Sequence, residues 1–88
     1  MPHPDPERDA EFQAAATLDA IGLKCPLPAL KTRRALAKLE AGATLIVLAD
    51  DPMAAIDIPH LLRELGDELV AASEAEGRLR FVIRKGRL

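Results

Sequence analysis

Pro26 and Pro28 stand one residue apart, directly after the only cysteine of the chain, Cys25. No other stretch limits the local backbone as tightly. Proline fixes φ and lacks an amide hydrogen, so such a pair suits the first turn of a helix, where N–H groups have no intrahelical acceptor. With Pro26 as the first helical residue and Pro28 as the third, Cys25 is expected at the N-cap. Gly22 supplies the turn that leads an extended segment into this stretch. A sulfur at an N-cap sits at the positive end of the helix macrodipole, and Lys24 lies beside it; both effects favour the thiolate. The two prolines leave only the N–H groups of Leu27 and Ala29 as backbone donors to the sulfur in that turn. Cys25 is therefore a candidate nucleophile, and the alternative is a small hydrophobe packed in the interior.

Beyond the prolines, Ala29, Thr32, Leu36 and Leu39 recur at i, i+3, i+7 and i+10, the core-facing stripe of a helix from Pro26 to Ala41 that Gly42 stops. Lys31, Arg34 and Lys38 follow the same spacing on a neighbouring face. They make a basic stripe leading away from Cys25, either a solvated face or a docking surface for a partner. Thr17 to Ala20 reads as a short first strand. The continuous apolar run from Ala43 to Ala49 reads as a central one. Joined through a helix, the two strands should be parallel with a right-handed crossover. Their C-terminal ends then lie at one sheet edge, which brings Asp50 and Asp51 close to Cys25.

Asp51-Pro52 has the form of a cap followed by proline at a helix start. Asp50 is a candidate contact residue, since a carboxylate near the sulfur can orient a partner's basic side chain while opposing the thiolate. Pro59 argues against one continuous helix, so a short turn over Pro52 to Ile56 is expected, followed by a helix capped by Asp57 and running to Leu65. Its buried stripe would be Ala55, Ile58, Leu62 and Leu65, with His60 on the opposite, exposed side. Whether Met53 is exposed or packed is left open. Gly66 ends this helix. Glu68 to Ser73 and Leu79 to Lys85 then form a hairpin about Glu76-Gly77, with Leu69, Ala71 and Ser73 alternating on one strand and Leu79, Phe81 and Ile83 on the other. Arg78, Arg80 and Arg84 share the solvent face of the last strand. Two helices on one face of a four-stranded mixed sheet make an α/β two-layer sandwich, β-α-β-α-β-β.

An 88-residue chain holds one thin core. Residues 1–16 carry four acids against one arginine, with three prolines and no apolar periodicity, and read as a flexible acidic tail preceding a domain over 17–88. With Phe12 and Phe81 as its only aromatic residues, the chain has no platform for stacking bases, and direct nucleic-acid binding is not expected. A single cysteine with only His3 and His60 beside it excludes an internal disulfide framework and any ordinary zinc site. No cofactor is expected. No apolar run approaches membrane-spanning length and the N-terminus does not look like a secretory signal, so a reducing cytoplasm is the expected compartment.

The run from Leu18 to Pro28, a short strand followed by Gly22-Leu23-Lys24-Cys25-Pro26-Leu27-Pro28 and a helix, resembles the signature of the TusA-like (SirA/TusA) sulfur-carrier family. The turn at Ala41 to Leu45, the block Ala49-Asp50-Asp51-Pro52 with Asp57-Ile58-Pro59, and the ending Arg84-Lys85-Gly86 resemble its later blocks. The resemblance spans about residues 17–86. It implies the β-α-β-α-β-β fold, similar to the C-terminal domain of translation initiation factor three, and it implies that Cys25 bears sulfur. By the same resemblance Pro26 and Pro28 shape the helix start, and Asp50, Asp51 and Pro52 flank the cysteine. Family pathways include 2-thiouridine synthesis in tRNA, sulfur supply for molybdenum cofactor and dissimilatory sulfur oxidation, and the resemblance implies a bacterial protein. Leu27 stands where relatives frequently carry an acid.

One activated thiol without a resolving cysteine or a base suits a carrier acting with partners, not a self-sufficient enzyme. Cys25 is expected to accept sulfane sulfur from a donor protein of the cysteine desulfurase or rhodanese type and to pass it to a cysteine-bearing acceptor, in a sulfurtransferase-type relay. The alternatives are a non-catalytic interaction module with Cys25 buried, or a redox-regulatory module using Cys25 as its switch.

Overall fold

The computed structural model describes residues 14–86. The expected acidic tail therefore lies, over residues 1–13, outside the described part. Six elements follow in the order β1 (Ala16–Ala20), α1 (Leu27–Ala37), β2 (Thr44–Ala49), α2 (Ala54–Leu65), β3 (Glu68–Ala75) and β4 (Arg78–Arg84). The strands form one mixed sheet in the order β1-β2-β4-β3. β1 and β2 run parallel, with Leu18 opposite Val47 and Ala20 opposite Ala49. β4 pairs antiparallel with both β2 and β3. This is the expected α/β two-layer sandwich, with the ends of β1 and β2 at one edge.

The core lies between the helices and one sheet face. Leu45, Val47, Phe81 and Ile83 from the sheet meet Leu36 of α1 and Ile58 and Leu62 of α2, all essentially without solvent contact. β2 is buried along nearly its whole length, as its unbroken apolar run requires of a strand paired on both sides. The opposite face holds a smaller cluster, Ile46 and Val82 backed by Leu48, Val70 and Ala71. The face that carries Arg78, Arg80 and Arg84 is thus partly apolar and not simply a solvent face.

Several local expectations are corrected. The first helix starts one residue later than the prolines suggest: Pro26 is its N-cap, Leu27 its first residue and Pro28 its second, and the Cys25–Pro26 peptide bond is cis. It also ends at Ala37, four residues short of Ala41. Tighter turns follow, with Lys38 N–H donating to the carbonyl of Ala35 and Leu39 N–H to that of Leu36. Pro28, Thr32 and Leu36 form the buried side of α1, while Ala29 and Leu39 are half-buried. Thr32 turns its hydroxyl back to the Pro28 carbonyl at 2.7 Å, which satisfies the polar group inside the core.

Pro59 does not break the second helix. α2 is continuous from Ala54, with Pro59 inside it. The amide that proline lacks would have bonded to the Ala55 carbonyl, and Ala55 is exposed in the first turn, where water can take the place of that donor. The buried stripe is consequently Ala54, Ile58, Leu61 and Leu62, with Ala55 outside it. In β3 the register slips between Leu69 and Ala71, a bulge at Val70 that moves Ala71 off the Leu69 face. Leu69 packs on the main core and Ala71 on the opposite cluster, which breaks the expected alternation. The turn falls where expected, and Glu76 and Gly77 both have positive φ, 52° and 80°, the pattern of a two-residue type I′ hairpin.

Candidate functional site

Cys25 is exposed at the shared edge beyond β1 and β2. The loop that carries it is fastened by two carboxylates from the end of β2. Gly22 N–H donates to Asp50 Oδ1 at 2.9 Å, and Cys25 N–H donates to Asp51 Oδ2 at 2.7 Å. The other Asp51 oxygen accepts from Met53 N–H at 3.1 Å, so one carboxylate ties the cysteine loop to the turn that enters α2. Asp51 retains 9% of its accessible surface. Its carboxyl is held below the usual carboxylate range, first by the Cys25 amide, then by the Met53 amide, with a smaller contribution from Lys24. Asp51 is not the N-cap that Asp51-Pro52 suggested, since Met53 holds that place without a side-chain cap bond and the helix starts at Ala54; its carboxylate instead positions the cysteine loop against the turn before the helix. Gly22 carries the left-handed turn, at φ 85°, that bends the chain from β1 toward this anchor.

The sulfur does not have the environment that the prolines suggest. Cys25 precedes the N-cap instead of occupying it, and Leu27 N–H donates to the Lys24 carbonyl at 2.8 Å and not to sulfur. The partner of Cys25 Sγ is Asp57, whose Oδ2 accepts the S–H at 3.0 Å. That bond pushes the thiol pKa up, and loss of hydration and the charges of Asp57 and Asp51 push it the same way. These influences oppose the thiolate that the macrodipole and Lys24 were expected to favour.

Asp57 is the site residue that the sequence reading missed. Taking Pro59 as a helix break made Asp57 a cap. In the continuous helix it sits in the first turn of α2, from which it reaches across to Cys25. The signal was its place five residues after Pro52 in the same acidic block.

The remaining expected site residues are placed as follows. Lys24, Pro26 and Pro52 are exposed, and Pro28 is buried. Lys31, Arg34 and Lys38 are exposed along α1. Leu27, Leu30, Lys31 and Arg34 line a shallow hollow, and among the described residues Leu27, Leu30, Met53 and Ile56 are the large apolar side chains left open to solvent, Ile56 at 63%. They lie on the two helices that start beside the sulfur. His60 is exposed and pairs with Glu64 at 2.9 Å, as a surface residue would.

The family model described as Sulfurtransferase TusA matches residues 16–85, from the start of β1 to the lysine after β4. The chain belongs to the TusA family. A protein of Archaeoglobus fulgidus whose name provisionally calls it a sulfur carrier is 47% identical over 68 residues, covering 76% of this chain and 88% of that protein. The crystal structure of a SirA-like protein from Desulfitobacterium hafniense superposes with a TM-score of 0.72 at 30% identity, over 82% of this chain and 99% of that one. The TusA fold thus accounts for every described element. Among its described residues, no helix is long and apolar enough to cross a membrane.

Proposed function

We propose that this TusA-family protein carries sulfane sulfur as a persulfide on Cys25, taking it from one protein and handing it to another. The observation that carries this reading is the exposure of a lone thiol on a loop anchored by Asp50 and Asp51, with no second cysteine in the chain to resolve it. Family membership and the name of the Archaeoglobus relative support the sulfur-carrier role. An exposed sulfur also tells against the interaction module in which Cys25 is interior packing.

In loading, Cys25 Sγ bonds to the terminal sulfur of a donor persulfide as the donor's S–S bond breaks, and the donor leaves as a thiol. In delivery, an acceptor's cysteine attacks the terminal sulfur and Cys25 leaves in turn. No net oxidation occurs in either step. The donor is of the cysteine desulfurase or rhodanese type, and the acceptor is a protein bearing a reactive cysteine. The exposed apolar residues Leu27, Leu30, Met53 and Ile56, bordered by Lys31, Arg34 and Lys38, form the docking face. The protein acts in the cytoplasm.

The test is intact-mass spectrometry after incubation with a cysteine desulfurase, its pyridoxal phosphate and cysteine. A gain of about 32 Da per sulfur, reversed by reductant and absent in Cys25→Ser, is the expected result. No gain from several donors, with peroxide oxidising the thiol instead, would move the assignment to a redox switch.

A further inference from the structure

Asp57 presents a chemical difficulty for a carrier. A transfer nucleophile works as a thiolate, yet here the sulfur donates its proton to a carboxylate 3.0 Å away. The other groups acting on it add to this effect or leave it standing. Asp51, from the loop between β2 and α2, adds a second negative charge. Asp50 accepts the Gly22 amide through Oδ1 and brings no positive charge. Lys24, the neighbouring cation, acts on Asp51. Among the described residues no cation pairs with Asp57. The helix nevertheless holds Asp57 half-buried in its first turn, facing the sulfur from a separate element.

We propose, on the basis of the carrier reading, that Asp57 is a gate: it keeps Cys25 a neutral thiol in the free protein, and a docking partner that brings a cation to Asp57 releases the nucleophile. A positive charge at the carboxylate removes both its repulsion of the thiolate and its claim on the S–H proton. The partner's chemistry follows from this, namely a basic side chain beside its own reactive sulfur. During loading the Cys25 S–S bond forms as the donor's bond breaks. The electron pair of the broken bond stays on the donor's cysteine sulfur, and the proton given up by Cys25 ends there. The gate thereby spares the thiol from small electrophiles between encounters. Asp57 is a positioning residue in this scheme and forms no bond to sulfur.

The gate itself is read without a donor protein, and its outcome is set beside that of the loading assay. Alkylation of Cys25 by iodoacetamide is followed against pH in the native chain, Asp57→Asn and Asp57→Glu. Cystamine and dithiodipropionate are then compared as cationic and anionic disulfides. In Asp57→Asn the alkylation midpoint should fall, each unit of fall meaning about tenfold more thiolate at neutral pH. The native preference for the cationic disulfide should shrink several-fold. Asp57→Glu should restore both, which a merely structural role for Asp57 would not produce. An unmoved midpoint, or an unchanged charge preference, in a folded Asp57→Asn protein overturns the gate. If the midpoint moves while the native chain never acquires sulfane sulfur, the carrier reading fails and the thiol gate stands. If sulfur loads normally and the midpoint does not move, the gate alone fails.

Discussion

Cys25 is exposed, and two different carboxylates hold it, Asp51 at its amide and Asp57 at its sulfur. Replacing the cysteine by serine leaves the amide bond to Asp51 in place. Cys25→Ser should therefore match the native thermal transition to within about 0.5 kcal/mol while losing all persulfide uptake. A protein that still gained reducible sulfur would place the carrier atom elsewhere. Asp51 is the opposite case, because its two oxygens hold Cys25 N–H and Met53 N–H together. Asp51→Asn keeps the shape but can accept through only one oxygen, so the cysteine loop should loosen. Hydrogen exchange at the Cys25 and Met53 amides reads this directly, and both should exchange faster than in the native chain. Since the folded Asp51 carboxyl is depressed below its unfolded value, its contribution to stability is present above the unfolded value and is lost as pH falls through the folded one. The native protein should therefore lose stability as pH falls from the unfolded value toward the folded one; in Asp51→Asn this segment of the acid dependence should disappear, and a native-like acid profile in that variant would show that Asp51 does not contribute it.

At the scale of elements, the residues after β4 close the fold over the far end from the cysteine. Lys85 extends its Nζ to the Leu36 carbonyl at 2.6 Å, a positive charge at the C-terminal end of α1, where the macrodipole favours it. Lys85→Met keeps the aliphatic stem and removes that bond. It should cost about 1 kcal/mol by chemical denaturation, and no loss would show that the interaction is solvent-exchanged. Gly86 donates its N–H to Asp67 at 2.8 Å, and a Cβ at this position would collide with the Gly66 carbonyl. Because that obstacle is backbone, Gly86→Ala should destabilise by about 1–3 kcal/mol. The ending Arg84-Lys85-Gly86 was visible in the sequence as a pattern, but its reason was not, since both contacts join segments distant along the chain. The same limit explains other gains and losses. The β2 run, the parallel crossover and the Glu76-Gly77 turn were legible because period, burial and turn chemistry are local or follow from chain connectivity. The continuity of α2 through Pro59 depended on Ala55 facing water, and the Val70 bulge on pairing with β4; neither is encoded in local periodicity. Asp57 was lost with the helix boundary, and the thiol's raised pKa was lost with Asp57.

For the molecule as a whole, the two helices begin at the same end, and this concentrates apolar exposure around one reactive atom. Leu27, Leu30, Met53 and Ile56 are each at least 44% exposed. Exposed residues contribute little to folding, so Leu30→Ser and Ile56→Ser should each change stability by no more than about 0.5 kcal/mol. At a docking face they should nevertheless slow sulfur transfer from a protein donor, and the double variant should slow it most. The basic stripe predicts a different signature. Charges act at range and are screened by salt, so reversing Lys31 and Arg34 to glutamate should cut the association rate by roughly tenfold at low ionic strength and much less at high salt. The apolar variants should be nearly insensitive to salt, because water exclusion does not decay with the Debye length. Single-turnover transfer measured across ionic strength for both sets therefore separates steering from contact. If the charge-reversed protein transfers at the native rate in low salt, Lys31 and Arg34 form only a solvated face, and recognition rests on the apolar residues and the carboxylates around Cys25.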